Sequence, residues 1–133
     1  MHGLELSVGA IVGALHRVAA RGAGAVDRIR AAIRASPVVQ ADETGLREDG
    51  SNGYLWSFST PTARYFVRGG RNKAVVDKVL GPAFVGVLVT DFSAAYDHYD
   101  GLHQRCWAHL LRDLHALVAC QRLLLNQAPA PQA

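Results

Sequence analysis

The stretch Val38-Val39-Gln40-Ala41-Asp42 decides the fold. Two β-branched residues lead into a polar end, so it reads as a strand that finishes on an acid. Just upstream, Ser36-Pro37 ends a helical region, because proline disfavours helix in the residue before it. Downstream the hydrophobic period changes to two. Leu46 to Gly53 is rich in charge, Asn and Gly and reads as a turn. Tyr54-Leu55-Trp56-Ser57-Phe58-Ser59 alternates aromatic and polar residues, Pro61 marks another turn, and Ala63 to Val67 reads as a third strand. Three strands on short connections predict an antiparallel meander.

Beyond the meander, helices and strands alternate. Arg68-Gly69-Gly70-Arg71 is a loop, Asn72 caps a helix running to about Leu80, and Gly81-Pro82 stops it. Val85 to Thr90 is a nearly continuous β-branched run, as expected of a strand buried on both faces, and it ends at Asp91. Ser93 to Tyr99 reads as a short helix and Gln104-Arg105-Cys106 as a brief strand. Trp107 to Leu125 reads as a helix with Leu110, Leu111, Leu114, Leu117 and Val118 on its buried side. Trp56 and Trp107 both read as core residues. At the other end, residues 4–35 are helical, with Leu4, Val8, Ile11, Val12, Leu15 and Val18 on one face. Gly22 and Gly24 predict a break there, with a second helix from Val26 to Arg34. The expectation is an α/β fold: a helical segment 1–36, a mixed sheet flanked by helices over 37–126, and a frayed Pro/Ala/Gln tail 127–133.

Half of the 133 residues are hydrophobic, which argues against wholesale disorder. The net charge of +3 permits a polyanionic partner without demanding one. That charge is uneven. Residues 1–36 carry five Arg against Glu5 and Asp27, residues 37–101 carry eight acids against six basic groups, and residues 102–133 carry three Arg against Asp113. An acidic centre between basic flanks suits a site that gathers cations for work on phosphates. Cys106 and Cys120 make no disulfide framework, so reduced thiols and a cytoplasmic setting are expected. No signal peptide is visible, and the longest apolar stretch, Leu6 to Leu15, is far shorter than the roughly 20 residues of a membrane span.

Asp42 and Asp91 share one placement, at the polar end of an apolar strand. Functional groups gather at such ends in open sheets with crossover helices. Two carboxylates there can converge on one point and, with substrate phosphate and water, hold a hard cation such as Mg2+ or Mn2+. Aspartates also mark strand ends simply because they favour turns. Glu43, next to Asp42, would face the other side of a strand and reads as a turn or supporting residue.

The local wording adds to this. Ala41-Asp42-Glu43-Thr44, Gly53-Tyr54-Leu55-Trp56, Gly86-Val87-Leu88-Val89-Thr90-Asp91, Ala95-Tyr96 and Cys106-Trp107-Ala108-His109-Leu110-Leu111-Arg112-Asp113 follow one another in fixed order. Over about residues 36–117 this resembles the central domain of insertion-sequence-66-type DDE transposases. The resemblance implies a ribonuclease H-like fold, with a three-stranded meander plus parallel strands, incomplete at the C-terminus. It implies an Asp, Asp, Glu triad that binds Mg2+ or Mn2+, cuts DNA at transposon ends and joins the ends to target DNA. Asp42 matches the first acid and Asp91 the second. No Glu follows Asp91, so the third acid has no counterpart, and the chain alone is expected to be a truncated, inactive piece. The partners implied are DNA, in a nucleoid setting, and a second copy or a full-length transposase. An alternative is a non-catalytic remnant that binds DNA or a transposase. Another is a different nuclease of the same fold in which Asp97 or Asp113 reaches the cation.

Basic residues near these boxes are candidates for contact with a DNA backbone: Arg68, Arg71 and Lys73 around two glycines, and Arg105, His109 and Arg112 near the start of the last helix. His98, His103, Cys106, His109 and His115 invite a zinc reading, but their spacing is not that of paired zinc ligands.

Overall fold

The computed structural model describes residues 6–126, and side chains through Leu123. Leu4 and the tail 127–133 therefore lie outside the described residues. The first element is one helix, α1 (Val8–Arg34), and not two. Ser7 caps it, its hydroxyl accepting the Ala10 N–H at 3.2 Å. Gly22 and Gly24 are carried inside it. Each costs about 1 kcal/mol against alanine, but keeps its N–H and C=O for the helical ladder, and Ala23 separates them.

The meander follows as β1 (Val38–Glu48), β2 (Ser51–Ser59) and β3 (Arg64–Gly69). Next come α2 (Lys73–Leu80), β4 (Val87–Thr90), a 3₁₀ turn at Ala94–Tyr96, β5 (His103–Arg105) and α3 (Trp107–Asn126). The strands form one mixed sheet in the order β3-β2-β1-β4-β5. β1, β2 and β3 pair antiparallel, whereas β4 is parallel to β1 and β5 is parallel to β4. The α/β class and the meander are as the sequence predicts.

Boundaries differ where local composition misleads. The segment from Leu46 to Gly53 is mostly strand, because the β1–β2 ladder continues to the pair Glu48–Ser51. The turn itself is only Asp49 and Gly50, both at positive φ (47° and 76°). That mirror-image turn matches the twist of the paired strands and lets the ladder close in two residues. The stretch from Ser93 to Tyr99 holds only a 3₁₀ turn, and the fifth strand is His103–Arg105.

One face of the sheet carries the core. Val39, Ala41, Trp56, Phe58 and Leu88 point there and meet Ile33 of α1, Val76, Val79 and Leu80 of α2, Phe84 and Tyr96. Trp56 is fully buried, with its ring 5.7 Å from that of Tyr96 edge-on, and its Nε1 donates to the Gly70 carbonyl at 3.2 Å. Arg34 joins the two helices by donating from Nε and an Nη to the Val79 and Lys78 carbonyls at 2.6 and 2.7 Å. These are end groups of α2 that the helix itself leaves without partners.

Among the described residues, no layer of helices covers the other face. Gln40, Asp42, Ser57, Ser59 and Val89 face it, near only the first turn of α3. β4 is accordingly buried on one side only, with Leu88 and Thr90 inside and Val87 and Val89 half-buried. The expected buried side of α3 is a further correction. Leu110 is half-buried, but Leu111, Leu114, Leu117 and Val118 are exposed, and so is Trp107 at 69 %. Amphipathic spacing fixes which residues share a stripe, and nothing in the described chain packs on this one. The stripe of α1 is likewise exposed from Val8 to Val18, and Ile33 is its one buried residue.

Candidate metal centre

The parallel ladder between β1 and β4 ends at the pair Gln40–Val89. Asp42 and Asp91 lie two residues beyond that pair, on the same face of their strands by the alternation of side chains. They meet where the strands stop bonding to each other. One carboxylate oxygen from each of Asp42, Glu43 and Asp91 lies within 4.8 Å of the others. Asp42 is exposed and Asp91 half-buried, so both can be reached from solvent.

Short local bonds orient the pair. Asp42 Oδ1 accepts the Glu43 N–H at 3.0 Å, and Asp91 Oδ1 accepts the Ser93 N–H at 2.9 Å. The second is an Asx turn that bends the chain away at the strand exit. Below Asp91, Thr90 is buried, and its hydroxyl bonds the Asp91 carbonyl at 2.7 Å and His103 Nε2 at 2.8 Å. Burial and the charge of Arg105 hold His103 below its ordinary value of 6.5, which favours the neutral ring.

Glu43 is mid-strand and no turn residue. Its side chain is 1 % exposed. Its two oxygens accept Arg71 Nε at 3.0 Å and the Tyr96 hydroxyl at 2.8 Å. Tyr96 is held far above the ordinary phenol range by burial and by the Glu43 carboxylate, so it stays a donor. The Glu43 bond and charge likewise raise Arg71 and keep it charged. Strand alternation puts Glu43 on the opposite face from Asp42. A glutamate is long enough to carry its carboxylate back to the open end of the strands. The Ala95-Tyr96 box carries no role in the sequence reading, and an aromatic hydroxyl shortly after a strand-end acid is the signal that marks Tyr96.

The six basic candidates have different local partners. Arg71 is tied to Glu43 and lies 5.5 Å from the Tyr54 ring centre. Arg68 pairs with Glu48 at 2.5 Å, and Lys73 is exposed in the first turn of α2. Arg105 supports the site from below, donating to the Asp91 carbonyl at 2.8 Å and to Asp97 at 2.5 Å. His109 lines a cleft of about 310 Å³ with Asp42, Ser57, Thr90 and Cys106. Its main-chain N–H and its imidazole hold the Cys106 thiol below the usual range. Arg112 is exposed and lies 3.8 Å from Asp113.

Asp97 and Asp113 stand apart from the acids, engaged by Arg105 and Arg112. Among the described residues, Asp42, Glu43 and Asp91 are the His, Cys, Asp or Glu group close enough to share a cation, and the histidines with Cys106 do not gather. No helix among the described residues is long and apolar enough to cross a membrane. The family model described as "Transposase IS66 family" matches residues 1–130. No curated protein and no solved structure matches the chain.

Proposed function

The chain belongs to the IS66 family of transposases, and from that premise we propose that Asp42 and Asp91 are two acids of a divalent-cation site for cutting and joining DNA strands. The observation that carries the reading is the convergence of these carboxylates, from strands in different parts of the sequence, within 4.8 Å at one open end of the sheet. A ribonuclease H-like architecture is part of the proposal. Its support is the antiparallel meander β1-β2-β3, with β4 and β5 joined in parallel on the far side of β1.

The donor set suits a hard cation. Carboxylate oxygens are the ligands that Mg2+ and Mn2+ prefer, and Mg2+ keeps several waters, so few protein ligands suffice. A bound cation there supplies positive charge beside a phosphodiester, easing attack at phosphorus and departure of the leaving oxygen. The residues of this chain do the remaining work. Asp42 and Asp91 present their oxygens to solvent. The Ser93 and Glu43 N–H groups fix their orientation. Arg105 anchors the Asp91 main chain.

DNA is the partner that the family implies. Arg68, Lys73 and Arg112, all exposed, are the residues of this chain we propose for its backbone, and His109 for a phosphate at the cleft. Arg71 and Arg105 are committed to holding the site.

A third acid of the family kind would be a Glu downstream of Asp91, and the last Glu in this sequence is Glu48. We therefore expect the 133-residue chain by itself to cut and join no DNA. A strand-cleavage assay on transposon-end duplexes with Mg2+ or Mn2+ tests this. Turnover that disappears in Asp42→Ala would overturn the expectation of inactivity while upholding the site.

A further inference from the structure

We propose that Glu43 and Tyr96 are positioning residues that set the spacing of Asp42 and Asp91, and that Glu43 is not itself a ligand for the cation. This rests on the reading of Asp42 and Asp91 as a cation site.

Both aspartates lie past the last bonded pair of β1 and β4, Gln40–Val89. The ladder therefore does not fix their separation. The bond that crosses the gap is the one from the Tyr96 hydroxyl to Glu43 Oε2, at 2.8 Å. Glu43 is joined to Asp42 by a single peptide bond. Tyr96 stands five residues after Asp91, in the 3₁₀ turn that follows it. Its ring is fully buried, edge-on to Trp56 at 5.7 Å and to His103 at 6.5 Å. The hydroxyl is thus presented from a rigid base. Arg71, from the loop before α2, holds the other Glu43 oxygen at 3.0 Å. One carboxylate ties together β1, the turn after β4 and the start of α2.

The same geometry separates the roles of the three acids. Both Glu43 oxygens are engaged by donors, and its side chain is 1 % exposed. Asp42 and Asp91 each accept a main-chain N–H on Oδ1. Their second oxygens have no hydrogen-bond partner among the described residues. A cation arriving from solvent finds those two oxygens first. Holding ligands in place through bonded neighbours commonly changes metal affinity by tenfold or more.

The test is Mn2+ binding to the full chain by electron paramagnetic resonance, with thermal unfolding and near-UV circular dichroism on the same samples. The proteins are wild type, Tyr96→Phe, Glu43→Gln and Asp42→Asn. Tyr96→Phe keeps the ring and removes only the hydroxyl. The expected result is Mn2+ affinity about tenfold weaker per folded molecule in Tyr96→Phe and Glu43→Gln, and lost in Asp42→Asn. If Glu43→Gln does not fold, Tyr96→Phe decides alone. Affinity within about twofold of wild type in Tyr96→Phe, with Asp42→Asn still deficient, overturns the inference and leaves the cation site standing. Loss in Glu43→Gln as complete as in Asp42→Asn, with Tyr96→Phe normal, makes Glu43 a ligand and also overturns it. If wild type binds no Mn2+, or Asp42→Asn binds equally, the cation site falls and this inference falls with it.

Discussion

Replacing Asp42 by asparagine should stabilise the metal-free protein while removing its response to cations. Three carboxylates come within 4.8 Å of one another at the sheet end. Two unit charges at that separation repel by about 1 kcal/mol in water-like surroundings and more where solvent is scarce. Asp42 is exposed, so the lower figure applies to its contacts, and Arg71 already offsets part of the Glu43 charge. Asparagine keeps an oxygen to accept the Glu43 N–H, so no hydrogen bond is lost in the exchange. The net expectation is a gain on the order of 1 kcal/mol, or about 3–5 °C in Tm for a chain of this size. Wild type should be raised by Mn2+, by about 1.4 kcal/mol at ten times Kd, and Asp42→Asn should not. Thermal unfolding followed by circular dichroism, once with chelator and once in millimolar Mn2+, measures both. Asp42→Asn melting several degrees below wild type in chelator, or an equal rise of both proteins with Mn2+, would refute the reasoning.

Trp56→Ala should cost about 3–5 kcal/mol, because it empties a fully buried indole site beneath Phe58 and Tyr96; a urea midpoint unchanged from wild type would contradict this placement of the core. His103 adds a pH dependence. Its folded value lies below 6.5, so the unfolded chain takes up the proton first, and stability contributed by the neutral ring is present above about pH 6.5 and lost as pH falls below it. Urea midpoints from pH 5 to 8 should show that fall, and His103→Gln should flatten it. The exposed stripes of α1 and α3 should drive self-association; sedimentation at micromolar concentration should give a mass above the monomer, and a clean monomer would count against it.

Much of the fold was legible because the period of the sequence changes sharply at Pro37. Alternation in residues 54–59 and the β-branched run before Asp91 named strands correctly, and Asn72 and Gly81 bounded α2 as their chemistry requires. Composition misled where it stood in for pairing. The polar residues from Leu46 to Gly53 look like a loop, yet cross-strand bonding needs only backbone and one mirror-image turn. Burial was less legible than element type. The stripe of α3 reads as a core face, but spacing tells only that such residues share a side, and what covers them is a tertiary matter. At the site, strand ends picked out Asp42 and Asp91. The Arg71–Glu43–Tyr96 chain was invisible because its members are far apart in sequence and meet only through side-chain reach.

The β1–β2 hairpin has a further effect on access. Its paired strands continue six residues past Asp42, to Glu48, which is about 20 Å at strand rise. That arm stands like a fence beside the acids, on the side of β2 and β3. A long, stiff molecule laid across Asp42 and Asp91 meets the fence on that flank, while Cys106 and His109 at the start of α3 border the Asp42 cleft as well. Asp42 therefore sits in a cleft bordered by β2 and by the first turn of α3. Shortening the hairpin in pairs of residues would change the width of that gateway without touching any group that lines it.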